Sequence, residues 1–125
     1  MNLGDLTYYI APLIGLSTLA IGISAVLHPL PMAKKFGVPA NESAAPYVVS
    51  TGIRDVFIGL AVLVLFYSKA WFALGAINLC LGIVAISDFI VVFRHGDRKT
   101  SYVHLAGAVF VVTYGLWLLA LMSWT

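Results

Sequence analysis

Hydrophobic positions fall in four long blocks, Leu6–Leu27, Tyr47–Tyr67, Ala70–Val92 and Tyr102–Trp124, separated by short polar connections. Each block approaches or reaches the roughly 20 apolar residues that cross a hydrocarbon core of about 30 Å. Leu, Ala, Ile and Gly dominate the blocks without the alternation of barrel strands. Backbone polar groups in lipid must be satisfied within the segment, so the spans are predicted as helices. The expected fold is all-α, an integral membrane four-helix bundle forming a single domain over residues 1–125, with both termini on the same, outer side.

Composition supports a membrane location, because 62% of the residues are hydrophobic and only 10% are charged, more apolar surface than a soluble domain of this length buries. The lipid bilayer is therefore the first partner. The leading span has no basic n-region, no small-residue cleavage site, and too long an apolar run for a secretory signal, and is expected to be retained. Cys80 has no second cysteine in the chain, which excludes an intrachain disulfide and C-x-x-C thiol redox chemistry. A formal net charge of +2 gives no case for nucleic acid.

The few basic residues instead report topology. Lys34, Lys35, Arg94, Arg98 and Lys99 lie in the first and third connections, against Lys69 alone in the second. The positive-inside rule places the first and third connections in the cytoplasm and both termini outside. Tyr8, Tyr9, Tyr67, Trp71 and Trp124 would then mark the outer interface, and Tyr47, Phe93 and Tyr102 the inner one.

Three connections predict three geometries. Tyr67-Ser68-Lys69-Ala70 is so short that the second and third spans must be antiparallel neighbours. Arg94 to Ser101 carries a Gly96 stop for the third span and a Thr100 or Ser101 cap for the fourth. His28-Pro29-Leu30-Pro31 ends the first span, and Pro31 to Phe36, closed by Gly37, forms either a short interfacial turn or a plain loop. Asn41 or Ser43 caps the second span, with Pro46 tolerated in its first turn.

Against this background Arg54 and Asp55 stand out, two opposite charges side by side within a span where each costs roughly 2.5 to 3.5 kcal/mol on insertion scales. Asp88 and His104 lie in the third and fourth spans. Counted from the turns at about 1.5 Å per residue, the depth offset is roughly 7 to 8 Å between Arg54 and Asp88 and about 4 to 5 Å between His104 and Asp88, which puts all four in one leaflet. Adjacent helical residues point about 100° apart, so Arg54 is expected to reach Asp88 rather than Asp55, leaving His104 as the nearest partner for Asp55. Gly75, Asn78, Gly82, Ala85 and Asp88 recur at helical spacing on the third span, and Gly52 and Gly59 flank the Arg54-Asp55 pair. Such stripes permit close helix packing or leave space for a ligand; on the second reading Asn78, Gly59 and Gly82 are the candidate substrate-binding positions.

Gly52-Ile53-Arg54-Asp55-Val56-Phe57-Ile58-Gly59, Asp88 followed by Arg94-His95-Gly96, and His104 opening the fourth span resemble a bacterial and fungal family of small four-helix membrane proteins known only as a domain of unknown function. The likeness covers most of the chain beyond residue 40. It implies the fold and the importance of Arg54, Asp55, Asp88 and His104, and carries no activity with it. Small multidrug exporters are similar in length and helix count but rely on a glutamate in the first helix, and Leu6–Leu27 contains no charge.

Three function classes follow. An enzyme acting on a lipid-soluble small molecule by isomerisation, cyclisation or epoxide opening would use Arg54, Asp55, Asp88 and His104 as its catalytic set, with a general base, a general acid and an anion stabiliser in a low-dielectric pocket. A proton-coupled carrier would titrate Asp55 or Asp88 and pass substrate between protomers of a homo-oligomer. A structural or accessory protein would use the charges as a clamp that fixes helix register. No cofactor is called for. His28, His95, His104, Asp55 and Asp88 show no i, i+4 ligand spacing on one helix, so no metal site is expected.

Overall fold

The computed structural model describes residues 3–122. Four helices, α1 (Leu3–Leu27), α3 (Ala45–Tyr67), α4 (Trp71–His95) and α5 (Arg98–Met122), are long and apolar enough to cross a membrane. A short helix, α2 (Pro29–Phe36), and a 3-10 turn (Glu42–Ala44) fill the first connection. Trp124, expected at the outer interface, lies outside the described residues.

Glycines decide which helices pair. The most extensive contacts are between α1 and α3 and between α4 and α5, whereas α3 and α4 touch much more lightly despite the tight turn that joins them. A methyl group placed on Gly22 would stand 2.6 Å from the Gly52 carbonyl oxygen, and one on Gly59 would stand 2.8 Å from the Gly15 carbonyl oxygen. On the other pair, a methyl on Gly115 would stand 2.9 Å from the Gly75 carbonyl oxygen, and one on Gly82 would collide with Val112. Backbones come this close only where there is no side chain to separate them. Chain proximity at Ser68 and Lys69 makes α3 and α4 neighbours; shape makes α1 the partner of α3, and α5 the partner of α4.

The two antiparallel pairs meet in an apolar core at the end of the bundle that holds the Lys69 turn. Ala11, Ile14, Ile58, Val62, Phe66, Leu74, Val111, Tyr114 and Leu118 form it. The Tyr8 ring lies 5.8 Å from Phe66 and 6.3 Å from Trp71, which brings the start of α1 to that same end. At the opposite end Phe89, Phe93 and Tyr102 gather, with the Arg98 guanidinium 4.7 Å above Phe93.

The first connection is more ordered than its sequence announces. Pro29 and Pro31 start α2 where a missing N–H costs nothing, and Gly37 ends it at φ 102°, a left-handed conformation that suits glycine. Val38 N donates to the Ala33 oxygen at 3.1 Å and completes the cap. Asn41 accepts from Ala44 N at 3.1 Å and starts the turn into α3. Gly96 closes α4 as expected. The α5 cap differs from expectation: Asp97, not Thr100 or Ser101, accepts from Thr100 N at 3.0 Å and from the Thr100 hydroxyl at 2.6 Å. Arg98 and Lys99 therefore belong to the first turn of the helix, a stretch that hydropathy assigns to the loop.

Candidate functional site

At the α2 end, residues of both helix pairs and of the first connection line an open cavity of about 720 Å³. Pockets of roughly 300 to 1,000 Å³ are the usual size for a small-molecule site. Its apolar wall comes from α1 (Ile21, Ala25), α2 (Met32, Ala33, Phe36) and the segment Val38–Ala40, with Val48 of α3 and Val91 of α4. Two acids and an imidazole from the spans interrupt that wall, Asp55 from α3, Asp88 from α4 and His104 from α5.

Arg54 holds the two carboxylates together. Its Nε donates to Asp55 Oδ1 at 2.9 Å, while Nη2 and Nη1 reach Asp88 Oδ2 at 3.3 Å and Oδ1 at 3.5 Å. The expected Arg54–Asp88 bridge is present, and the expectation that Arg54 is poorly placed to satisfy Asp55 is corrected. A guanidinium has donors on two edges, so a side chain that extends to the next helix with its Nη atoms still presents Nε to its neighbour in sequence. Asp55 and Asp88 side chains retain 14% and 18% exposure, Arg54 35%, so the carboxylates are the more enclosed members. Arg54 itself does not line the cavity.

His104 does not pair with Asp55, a second correction. Its Nε2 lies 2.9 Å from the Phe36 carbonyl oxygen, and its ring meets that of Phe36 at a tilt of 53° with centroids 4.4 Å apart. A carbonyl only accepts, so Nε2 carries the hydrogen and Nδ1 is the nitrogen left for other partners. Asp97 N donates to the Gly37 oxygen at 2.9 Å. The last carbonyls of α2, which its own helix cannot satisfy, are thus taken up by α5 and by the connection before it. This fastening makes α2 one wall of the cavity. No sequence signal near Phe36 or Gly37 announces it, since Phe36 and His104 lie 68 positions apart and Asp97 is likewise remote from Gly37.

The glycine and asparagine positions lie elsewhere. Gly59 faces Leu19 and Gly15, and Gly82 faces Val112, both in helix seams. Asn78 is fully buried in α4, with Nδ2 donating to the Leu74 oxygen at 2.8 Å, and does not line the cavity. Of the seven candidate residues, the structure brings Asp55, Asp88 and His104 to one cavity with Arg54 behind the two carboxylates. Gly59, Gly82 and Asn78 are placed between helices.

The sequence model of a domain of unknown function, DUF4267, matches residues 15–118. The chain belongs to the DUF4267 family. The match reaches back well before residue 40, so the DUF4267 domain includes α2, the Phe36 and Gly37 anchor points, and every residue that lines the cavity. No curated protein and no solved structure matches the chain.

Proposed function

We propose that this DUF4267 protein is a membrane-embedded enzyme that takes a mostly apolar small molecule into the cavity beside α2 and acts on it by acid–base chemistry. The observation that supports this reading is the wall itself: two carboxylates and an imidazole converge on one ligand-sized space that is otherwise apolar. A single structural ion pair needs no such space beside it. Asp55 and Asp88 exchange protons with the bound molecule, and His104 adjusts that exchange through Nδ1. Arg54 acts through the carboxylates as a positioning residue. Isomerisation, cyclisation and epoxide opening fit, because each removes a proton at one atom and delivers one at another without a redox partner. In this reading the first and third connections, and with them the cavity mouth, face the cytoplasm.

A second reading rests on a different observation. The α3–α4 seam is light, and Arg54–Asp88 bridges it beside the two bonds that tie α2 to the opposite helix pair. A protein whose charges serve only as this clamp needs no chemistry. The two readings separate by product formation. Purified wild type, Asp55→Asn and Asp88→Asn in lipid nanodiscs are incubated with the lipid-soluble extract of the host membranes, and the extract is compared by mass spectrometry. The enzyme reading predicts consumption of one compound and appearance of an isomer or hydrolysis product with wild type, and its loss in both Asn variants while helical content is retained. Identical extracts after all three incubations would favour the clamp.

A further inference from the structure

We propose that the cavity is selective for a lipophilic monocation, an ammonium group on an apolar body; this rests on the cavity being a binding site and names the class of molecule that fits it. The argument begins with charge. Arg54, Asp55 and Asp88 carry formal charges that leave one negative charge uncompensated within the bridge. The two acids line the cavity and the arginine does not. A molecule entering this space therefore meets carboxylate, with the compensating guanidinium set behind it.

Hydrogen-bond directions lead to the same class. Arg54 engages Asp55 through Oδ1, and no hydrogen bond to Asp55 Oδ2 is present among the described residues. His104 has committed its Nε2 hydrogen to Phe36, so a neutral ring offers the cavity only the Nδ1 lone pair. The Thr51 hydroxyl is used by the Tyr47 oxygen at 3.1 Å. The inner wall thus accepts hydrogen bonds and offers almost none. Donors on the lining belong to Lys35, Asn41 and Tyr47, all exposed residues of the rim, where water and ions screen the Lys35 charge. Phe36 and Tyr47 add aromatic faces that attract a cation.

Each alternative head group lacks something. A carboxylate or phosphate would bring negative charge against Asp55 and Asp88. A neutral hydrocarbon would bury the carboxylates without a donor, which costs more than leaving them wet. An alcohol supplies a donor but not the charge, and an ammonium supplies both.

Three probes of one shape test this: 5-phenylpentylamine, 5-phenylpentanol and 5-phenylpentanoate, titrated calorimetrically into the full chain in zwitterionic lipid nanodiscs, with empty nanodiscs as the blank. The amine is expected to bind at least about tenfold more tightly than the other two, the advantage of a charge-assisted hydrogen bond over a neutral one. Asp55→Asn and Asp88→Asn should each remove most of that advantage while leaving the weak alcohol binding in place. Val48→Trp, which places a bulky ring against the acidic side of the cavity, should remove binding of all three. Equal or tighter binding of the alcohol or the acid, still abolished by Val48→Trp, would overturn the cation assignment and leave the binding cavity standing. Binding of none of the probes above the blank would take the cavity reading down with it. The ranking on wild type needs no variant to fold.

Discussion

His104 on α5 donates from Nε2 to the backbone oxygen of Phe36, 2.9 Å away, and by that bond a transmembrane helix holds the end of the short helix that walls the cavity. His104→Ala should leave the Phe36 carbonyl without its partner and lower stability by about 1 kcal/mol. His104→Gln, which keeps a side-chain N–H, should lose less. Hydrogen exchange of the α2 amides is the direct readout: faster exchange is expected in the alanine variant, and an unchanged profile across residues 29–36 would show that the bond does not fasten α2.

The charge bridge is testable by a thermodynamic cycle. Arg54→Ala strands two acids, whereas Arg54→Ala combined with Asp88→Ala strands one, so the double variant should be less destabilised than the two single changes summed. A coupling of about 1 kcal/mol or more is expected in detergent unfolding. Arg54→Lys should recover only part of it, because an ammonium on a flexible stem lacks the fork that serves both carboxylates. Additive single-variant effects would mean that Arg54 and Asp88 do not act as a pair.

Glycine substitutions should separate seam from surface. A methyl group on Gly22 would meet the Val56 nitrogen at 2.5 Å and the Gly52 oxygen at 2.6 Å, both backbone atoms that cannot turn aside. Gly22→Leu should therefore force α1 from α3 and cost about 1 to 3 kcal/mol or prevent folding. A methyl on Gly107 meets nothing within 4 Å. Gly107→Ala should be neutral or stabilising by up to about 1 kcal/mol through helix propensity. Equal melting temperatures for the two variants would show that α1 and α3 do not pack backbone to backbone at Gly22.

Much of this architecture was legible in the sequence because hydrocarbon imposes strict rules. A run such as Ala70–Val92 has one way to satisfy its backbone in lipid, and the observed helix extends it only at its charged end, to His95. The meeting of Arg54 and Asp88 also followed from counting depth along two helices. Pairing was harder to read. The tight turn at Lys69 makes α3 and α4 antiparallel neighbours, but the tightest seams form where Gly22 meets Gly52 and Gly75 meets Gly115, a matter of shape between residues far apart in sequence. Helical direction at the backbone turns Arg54 away from Asp55, but the long side chain bends back and places Nε 2.9 Å from Asp55 Oδ1. The partner of His104 is a backbone carbonyl freed by the end of α2, which no count of charged side chains reveals, and the sequence leaves α2 itself open between a turn and a loop.

Acid should weaken the start of α5. Two donors from Thr100, its hydroxyl first and then its backbone N–H, hold the Asp97 carboxyl below its ordinary value. A group depressed in the folded state adds stability above the unfolded value, near pH 3.9, and loses it as pH falls through the lower folded value. Exchange at the first-turn amides of α5 should therefore be protected at neutral pH and lose protection only in the acid range below about pH 4. Asp97→Ala should show the unprotected profile at every pH, and identical behaviour of wild type and variant at pH 7 would exclude Asp97 as the cap.

Native mass spectrometry of the protein, extracted gently from the membranes that make it, shows whether the cavity holds a small molecule when wild type is compared with Val48→Trp. An occupied cavity beside Asp55, Asp88 and His104 predicts a bound small molecule of one defined mass on wild type, released on activation, and its absence from the variant, while ordinary lipids remain on both. Wild type and Val48→Trp carrying the same lipids and nothing else would show that the cavity is not a small-molecule site.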